Sequence, residues 1–102
     1  MKKEKMTVFV DLKSLPYKQA ELNGYISDCK KFFIADTSND PKRKSYSLYD
    51  VDTKALISNY LPNIKSAIKK GEQMHKEIPI EEWNEARTKF KTNVKNYPPI
   101  TI

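Results

Sequence analysis

Few residues in this chain have the type and spacing that catalysis requires. Nucleophilic catalysis needs a histidine or an equivalent base beside a serine, cysteine or threonine. His75 is the only histidine, and it lies in a connector of lysines and glutamates, where we expect a solvated loop residue. Cys29 is the only cysteine, which excludes an intrachain disulfide and a cysteine-based zinc site, and we expect it to be a small buried residue. The sequence therefore predicts a protein that is not an enzyme.

Sites for a metal ion or a phosphate-bearing cofactor are equally sparse. Asp50, Asp52 and Thr53 could bind a hard cation weakly, but the cap of a helix explains the same residues better. The only glycines, Gly24 and Gly71, do not directly follow a strand pattern, so no glycine-rich phosphate loop is predicted. We expect neither a metal nor a cofactor.

The densest basic and aromatic cluster is a predicted hairpin tip with Lys42, Arg43 and Lys44, followed by Tyr46 and Tyr49. Such a β-ribbon can follow a phosphate backbone and stack bases on its tyrosines. Charged tips and alternating tyrosines are also ordinary features of a hairpin that packs on a core. These five residues are candidates for partner binding on the first interpretation and structural residues on the second.

Trp83 is the sixth candidate for partner binding. Its helical spacing from Ile80 and Phe90 predicts a position in the core. An aromatic side chain close to an interface would also suit a protein partner. Both interpretations place Trp83 on a helix.

The net charge of +6 raises the question of nucleic acid. Its distribution alternates: residues 53–71 carry +4, residues 72–86 carry −4 and residues 87–102 carry +4. Only Arg43 and Arg87 are arginines, and lysine lacks the planar fork that reads guanine or grips phosphate. Base-specific recognition is therefore disfavoured, whereas diffuse attraction to phosphate stays open.

The first half of the chain predicts a strand, a helix and a hairpin. Residues 6–12 are β-branched and aromatic, as in a strand. Ser14 can cap a helix whose apolar positions follow at spacings of three and four as far as Cys29, and Gly24 within it suggests a close packing contact. Residues 32–35 can extend that helix or form a strand, and we favour the strand of a hairpin.

The second half predicts two helices. Asp52 or Thr53 caps the first, Gly71 stops it, and Pro62 kinks or breaks it. A charged connection leads to a helix over residues 80–96, with glutamates at its start and lysines at its end. Residues 100–102 predict a short terminal strand.

A shift of 39 residues aligns the two halves. It brings residues 9–12 onto 48–51 and places apolar positions on apolar positions. We therefore predict one α+β domain with a small antiparallel or mixed sheet, two to three helices and an internal duplication of a strand-helix unit. The units span about 6–44 and 45–78, followed by the helix over 80–96.

A duplicated unit with little chemistry predicts a protein-protein interaction module. A peptide or partner would bind at the seam or sheet edge between the two units, and the same edge could form a homodimer. The alternative is a sequence-nonspecific nucleic-acid-binding protein that uses the basic tip. No apolar run approaches the roughly 20 residues of a membrane span, and the charged start lacks a long apolar stretch, so we expect a soluble, unexported protein.

The composition resembles that of a group of viral proteins. Lysine nearly excludes arginine, isoleucine, tyrosine and asparagine are abundant, and glycine is rare. In these respects the chain resembles the small orphan proteins of viruses that infect hyperthermophilic archaea, in particular the Acidianus filamentous viruses; low-GC bacterial phages have much the same composition. The resemblance implies a thermostable charged surface, a place in the host cytoplasm or on the virion, and a role in takeover or assembly.

Overall fold

The computed structural model describes all 102 residues, Met1–Ile102, and most of its strands precede its helices. The strands are β1 (Lys2–Asp11), β2 (Lys18–Ile26), β3 (Phe32–Asp36), β4 (Tyr46–Asp50), β5 (Leu56–Leu61) and β6 (Ile100–Thr101), and the helices are α1 (Ile64–Glu77) and α2 (Ile80–Asn96). The α+β class predicted from the sequence is confirmed. Neither helix is both long and apolar enough to cross a bilayer.

Five strands form an antiparallel meander that coils back on itself. Each strand pairs with the next along the chain, in the order β1-β2-β3-β4-β5. The two ends of this row meet where the Phe9 N–H donates to the Lys54 carbonyl at 2.9 Å and Phe9 pairs with Ala55 in parallel. β6 adds a short parallel pair to the start of β2. The coiling gives the sheet an inner face and an outer face, which are buried separately.

The inner face holds one of two apolar cores, with contributions from all five strands of the meander. Its members are Val8, Phe33, Ala35 and Tyr49, surrounded by Met6, Val10, Leu22, Ile26, Val51 and Leu56. Gly24 lies where β2 pairs with β3, and a Cβ there would clash with the Ile34 carbonyl oxygen and come within 2.7 Å of the Phe33 ring. The close packing expected at Gly24 is confirmed, although Gly24 lies in a strand.

The outer face of β3 and β4 is covered by α1. Phe32, Ile34, Leu48 and Ala67 form this second core. The Asn63 side chain caps α1 by accepting the Ser66 N–H at 2.7 Å. Because α1 packs so closely, a Cβ on Gly71 would lie 2.7 Å from the Phe32 ring. Gly71 therefore permits close contact inside α1, and its prediction as a helix stop is wrong.

Two of the helix predictions are wrong. Residues 18–26 form β2 in place of a helix from Ser14, and residues 56–61 form β5 in place of a helix capped by Asp52 or Thr53. The apolar positions of β2 explain the error, because Leu22 and Ile26, four apart, lie on one face of a helix and also on one face of a strand. Cys29 is exposed in the turn after β2, so its predicted burial is also wrong.

Other elements lie where the sequence predicts them. Residues 32–36 form β3 of a hairpin with β4, the last helix runs over Ile80–Asn96, and Ile100–Thr101 form a short strand. A break also occurs at Pro62, where β5 has ended and α1 begins two residues later. The proline excluded a continuous helix, as expected from its missing N–H.

The 39-residue offset aligns one antiparallel hairpin with another. It carries β1 onto β4 and part of β2 onto β5. The predicted strand-helix duplication is not confirmed, because residues 6–44 contain no helix, whereas residues 45–78 contain α1.

Candidate functional site

An apolar cavity of about 460 Å³ lies between α2, the end of α1 and the β4–β5 segment of the sheet. We call it the α2 cavity, and its lining residues are Asp50, Thr53, Ala55, Leu56, Ile57, Met74, Ile78, Glu82, Trp83, Ala86, Arg87 and Phe90. No residue of α2 is fully buried, although this helix has 17 residues. α2 therefore borders open space along part of its length. α1, in contrast, contacts the sheet directly.

A buried ion pair joins α2 to the end of β4. Arg87 donates from Nε to Asp50 Oδ2 at 3.2 Å and from Nη2 to Asp50 Oδ1 at 3.0 Å. The Asp50 side chain is 5% exposed and also accepts from the Thr53 hydroxyl at 2.9 Å. Because a buried charge is costly without partners, this set of contacts fixes the position of Arg87 beside the cavity.

The sequence analysis weighed Asp50 and Asp52 as weak cation ligands and as a helix cap. In the structure Asp50 binds Arg87, and Asp52 lies 3.5 Å from Lys91 Nζ. No helix starts at Asp52 or Thr53, so the cap is wrong. Both carboxylates instead connect the β4–β5 turn to α2.

An aromatic stack attaches the start of α2 to the end of α1. The His75 and Trp83 rings are parallel within 9°, with centroids 4.4 Å apart, and Phe32 meets His75 edge-on at 5.1 Å. The Arg87 guanidinium carbon lies 5.3 Å from the Trp83 ring centre. His75 therefore lies in a packed helix, and its prediction as a solvated loop residue is wrong.

Two polar atoms in this stack have no hydrogen-bond partner. They are His75 Nε2 and Trp83 Nε1, and both are buried. Burial lowers the pKa of His75 below its usual value, and the nearby cations Lys31 and Arg87 lower it further. The environment of the stack thus favours the neutral imidazole. The two unpaired atoms reduce the free energy that is gained when α2 packs against α1.

A second aromatic group holds the later part of α2. Phe90 stacks on Tyr17 with centroids 5.2 Å apart and meets Phe9 edge-on at 5.0 Å. The Asn93 amide donates to the Tyr17 hydroxyl at 3.0 Å. α2 is therefore fixed near Trp83 and Arg87 and again near Phe90, and the cavity lies between the helix and the sheet.

Of the six partner-binding candidates, only Trp83 lines this cavity. Lys42, Arg43 and Lys44 are exposed at the hairpin tip, at the opposite end of β3 and β4, and Lys44 Nζ lies 3.2 Å from Asp36 Oδ2. The structure therefore does not bring the basic tip and Trp83 together.

The two tyrosines of the candidate cluster belong to the cores. Tyr49 is 2% exposed on the inner face, which agrees with the second interpretation of the cluster, a structural residue of the core. Tyr46 is half-buried against the core beneath α1. Successive residues of a strand point to opposite faces of the sheet. Tyr46 and Tyr49 are three residues apart in β4, so they lie on opposite faces, and Tyr49 points into the inner core.

Tyr60 is an exposed aromatic residue that the sequence analysis missed. Its side chain is 88% exposed, and its backbone has φ of 59°, which is uncommon for a bulky residue. It precedes Leu61, which pairs with Tyr46, so Tyr60 lies at the same end of the sheet as the basic tip. In the helix predicted from the sequence, Tyr60 lies on the apolar face with Leu56 and Ile64. That prediction gives no sign that Tyr60 is exposed.

Comparisons with family models, with curated proteins and with solved structures gave no match for this chain. The α2 cavity and the charged residues around it are therefore the features from which we infer a function.

Proposed function

We propose that this chain is a non-enzymatic protein-interaction module, and that the α2 cavity receives an apolar side chain of a protein partner. The single observation that carries the proposal is the cavity itself. Its volume of about 460 Å³ lies within the range of about 300–1,000 Å³ typical of binding pockets.

The lining residues favour burial of an apolar group. Eight of the twelve are hydrophobic, and the charges of Asp50 and Arg87 neutralise each other. Burying one leucine or phenylalanine side chain contributes roughly 1.5–3 kcal/mol. A partner that inserts such a side chain would gain this energy and would also fill space that α2 leaves empty.

The seam in this proposal is the one between α2 and the meander. The seam expected from the sequence lies between two strand-helix units, and residues 6–44 contain no helix from which the first unit could form. Trp83 belongs to this seam, and its large flat ring is the kind of residue that contributes strongly to protein interfaces.

A selection experiment with a variant that narrows the cavity tests this function. Ala86 is exposed and lines the cavity, so Ala86→Leu should narrow it and obstruct an inserted side chain while the fold is kept. A displayed random-peptide library is selected on the natural chain and, separately, on Ala86→Leu. We expect peptides with a common apolar residue to be enriched on the natural chain only.

The matched control is Asn84→Leu, which adds the same side chain to an exposed position of α2 outside the cavity. We expect Asn84→Leu to enrich the same peptides as the natural chain. Equal enrichment on Ala86→Leu, or no enrichment on any of the three proteins, would contradict the proposed function.

Nucleic-acid binding is the second candidate, and Tyr60 favours it. This tyrosine is 88% exposed at the end of the sheet that carries Lys42 and Arg43, so a base could stack on it while phosphates contact the tip. Binding of a single-stranded oligonucleotide should then be strongest at low salt and should weaken in Tyr60→Ala. No affinity at low salt would eliminate this candidate.

A further inference from the structure

The charge around the α2 cavity identifies the chemistry of its partner, given the proposed function. Residues 72–86 contain five glutamates and one lysine, a net −4 in a chain of +6, so the other residues carry +10. This acidic segment spans the end of α1 and the start of α2, on either side of the cavity. The most acidic segment of this basic chain therefore contributes Glu82, Trp83 and Ala86 to the lining of the cavity.

Three of these glutamates form what we call the acidic rim: Glu77, Glu82 and Glu85. Glu82 lines the cavity itself, Glu85 lies beside Glu82 on the helix surface, one turn further on, and Glu77 precedes the lining residue Ile78 in the chain. All three are exposed, and none forms a salt bridge within the chain. Their charges are therefore not neutralised by a cation of the chain, although Glu77 accepts a hydrogen bond from the Gln73 amide at 2.9 Å.

The helix dipole explains only part of this charge. Glu81 and Glu82 lie in the first turn of α2, where a negative charge stabilises the helix. Glu85 lies beyond that turn. Glu77 is the last residue of α1, where a negative charge faces the negative end of the dipole and is unfavourable. Helix stability thus accounts for neither Glu77 nor Glu85.

Two nearby cations of α2 are already engaged. Arg87 binds Asp50, and Lys91 lies 3.5 Å from Asp52 Oδ2. Lys76 is the only cation within residues 72–86. A partner that places an apolar side chain in the cavity will therefore bring its flanking residues against uncompensated carboxylates.

We infer that the α2 cavity recognises an apolar side chain flanked by lysine or arginine in a protein partner. The apolar residue supplies burial, and the basic residues pair with the acidic rim. Complementary charge of this kind directs the choice of partner and speeds association more than it adds affinity. Partners with acidic residues at the same positions would be repelled.

Two matched peptides test this inference. Both carry the same central leucine and phenylalanine; one is flanked by lysines and the other by glutamates. Trp83 is the only tryptophan of the chain and lines the cavity, so its emission reports occupancy directly. At 20 mM salt we expect the lysine-flanked peptide to bind at least tenfold more tightly. At 0.5 M salt the preference should fall below about threefold, because exposed charges are then screened.

Charge variants locate the effect. Replacing Glu77, Glu82 and Glu85 by glutamine should reduce the preference for the lysine-flanked peptide at least fivefold. The control replaces Glu4 and Glu21 by glutamine and Asp28 by asparagine, which changes the net charge equally on exposed residues outside the cavity. An equal loss in both triple variants would overturn the inference, because net charge alone would then explain the preference.

The remaining outcomes separate the inference from the proposed function. Equal affinity for the two peptides overturns the inference and leaves a protein-interaction module. Absence of any change in Trp83 emission with either peptide overturns both. The basic remainder of a second copy could also occupy the cavity. A dimer that the lysine-flanked peptide dissociates, measured by light scattering, would overturn the assignment to a different protein.

Discussion

The two helices follow one another in the chain and are held in opposite ways. α1 places Ala67 and Gly71 directly on the outer face of the sheet, against Phe32, with no space for an added methyl group at Gly71. α2 has no fully buried residue and is attached by one buried ion pair and two aromatic stacks. Between these attachments lies the α2 cavity.

This difference suggests separate roles for the two helices: α1 contributes to stability, whereas α2 leaves apolar surface that a partner could cover. Close apolar packing stabilises in proportion to the area removed from water, as under α1. The ion pair and stacks of α2 fix its position but leave apolar surface unfilled, and two polar atoms in the stack have no partner. Elements with low local stability are those from which binding sites are commonly drawn. α1 is therefore part of the structural core, and α2 is the element to which our proposal assigns binding.

The largest expected effect comes from breaking the attachment of α2. Arg87→Met leaves Asp50 buried without its cation, and removing one partner of a buried pair costs about 3 kcal/mol of unfolding free energy. Urea unfolding measures the total loss. Amide hydrogen exchange should show faster exchange in α2 than in α1, since the helices are held separately.

Lys91→Met is the matched control for Arg87→Met. It removes a cation from the next turn of α2, where the pair with Asp52 is more than half exposed on both sides. Such pairs contribute about 0.2–1 kcal/mol. Equal losses in the two variants would show that Arg87 does not anchor α2 and would remove this contrast between the helices.

The next largest effect tests the close packing of α1. Gly71→Ala gains about 1 kcal/mol of helix propensity but forces a methyl group against the buried Phe32 ring, and overpacking costs about 1–3 kcal/mol. We expect a net loss of about 1 kcal/mol by thermal or urea unfolding. Ala86→Leu on α2 should instead leave stability unchanged or raise it by up to about 2 kcal/mol, because the added side chain enters a cavity. A stabilised Gly71→Ala would contradict the assigned packing.

The smallest effect concerns pH. The pKa of His75 is lowered in the folded protein from its ordinary value of 6.5, so the unfolded chain binds more protons just below that pH. The contribution of His75 to stability is therefore fully present above pH 6.5 and is lost as pH falls through its folded-state pKa. His75→Phe keeps an aromatic ring beside Trp83 and should flatten the pH dependence of stability between pH 7 and 5.5.

Because His75 is the only histidine, its titration can be followed directly by NMR. An unshifted titration near 6.5 would show that the ring is solvated and that the stack between α1 and α2 is absent. At pH 7.5 we expect His75→Phe to be as stable as the natural chain or more so, since it removes a buried nitrogen without a partner.

Two features of the fold were predicted correctly from local signals alone. The helix over Ile80–Asn96 has acidic residues at its start and basic residues at its end, as the helix dipole favours. Pro62 lacks a backbone N–H, so a continuous helix cannot run across it. Residues 18–26 were misassigned because Leu22 and Ile26 satisfy both the helical period and the strand period. Pairing with β1 and β3 resolves this ambiguity, and pairing is a long-range property.

The candidate site was predicted only in part. Trp83 was named as a partner-binding residue, whereas His75 and Asp50 were interpreted from their sequence neighbours alone. Their partners, Trp83 and Arg87, are 8 and 37 residues away. No periodicity within one element reports contacts of this kind, and the burial of Tyr49 and the exposure of Tyr60 also depend on how the strands pair.

The sequence by itself determined the α+β class, the alternation of charge along the chain and the acidic character of residues 72–86. These properties depend on composition and local pattern, which a single sequence displays. Only the tertiary structure decided that the acidic segment borders an apolar cavity, that His75 and Trp83 stack, and that Gly71 admits no side chain. These properties arise where α1, α2 and the coiled sheet meet. The space and the contacts there depend on how elements distant in the chain pack against one another.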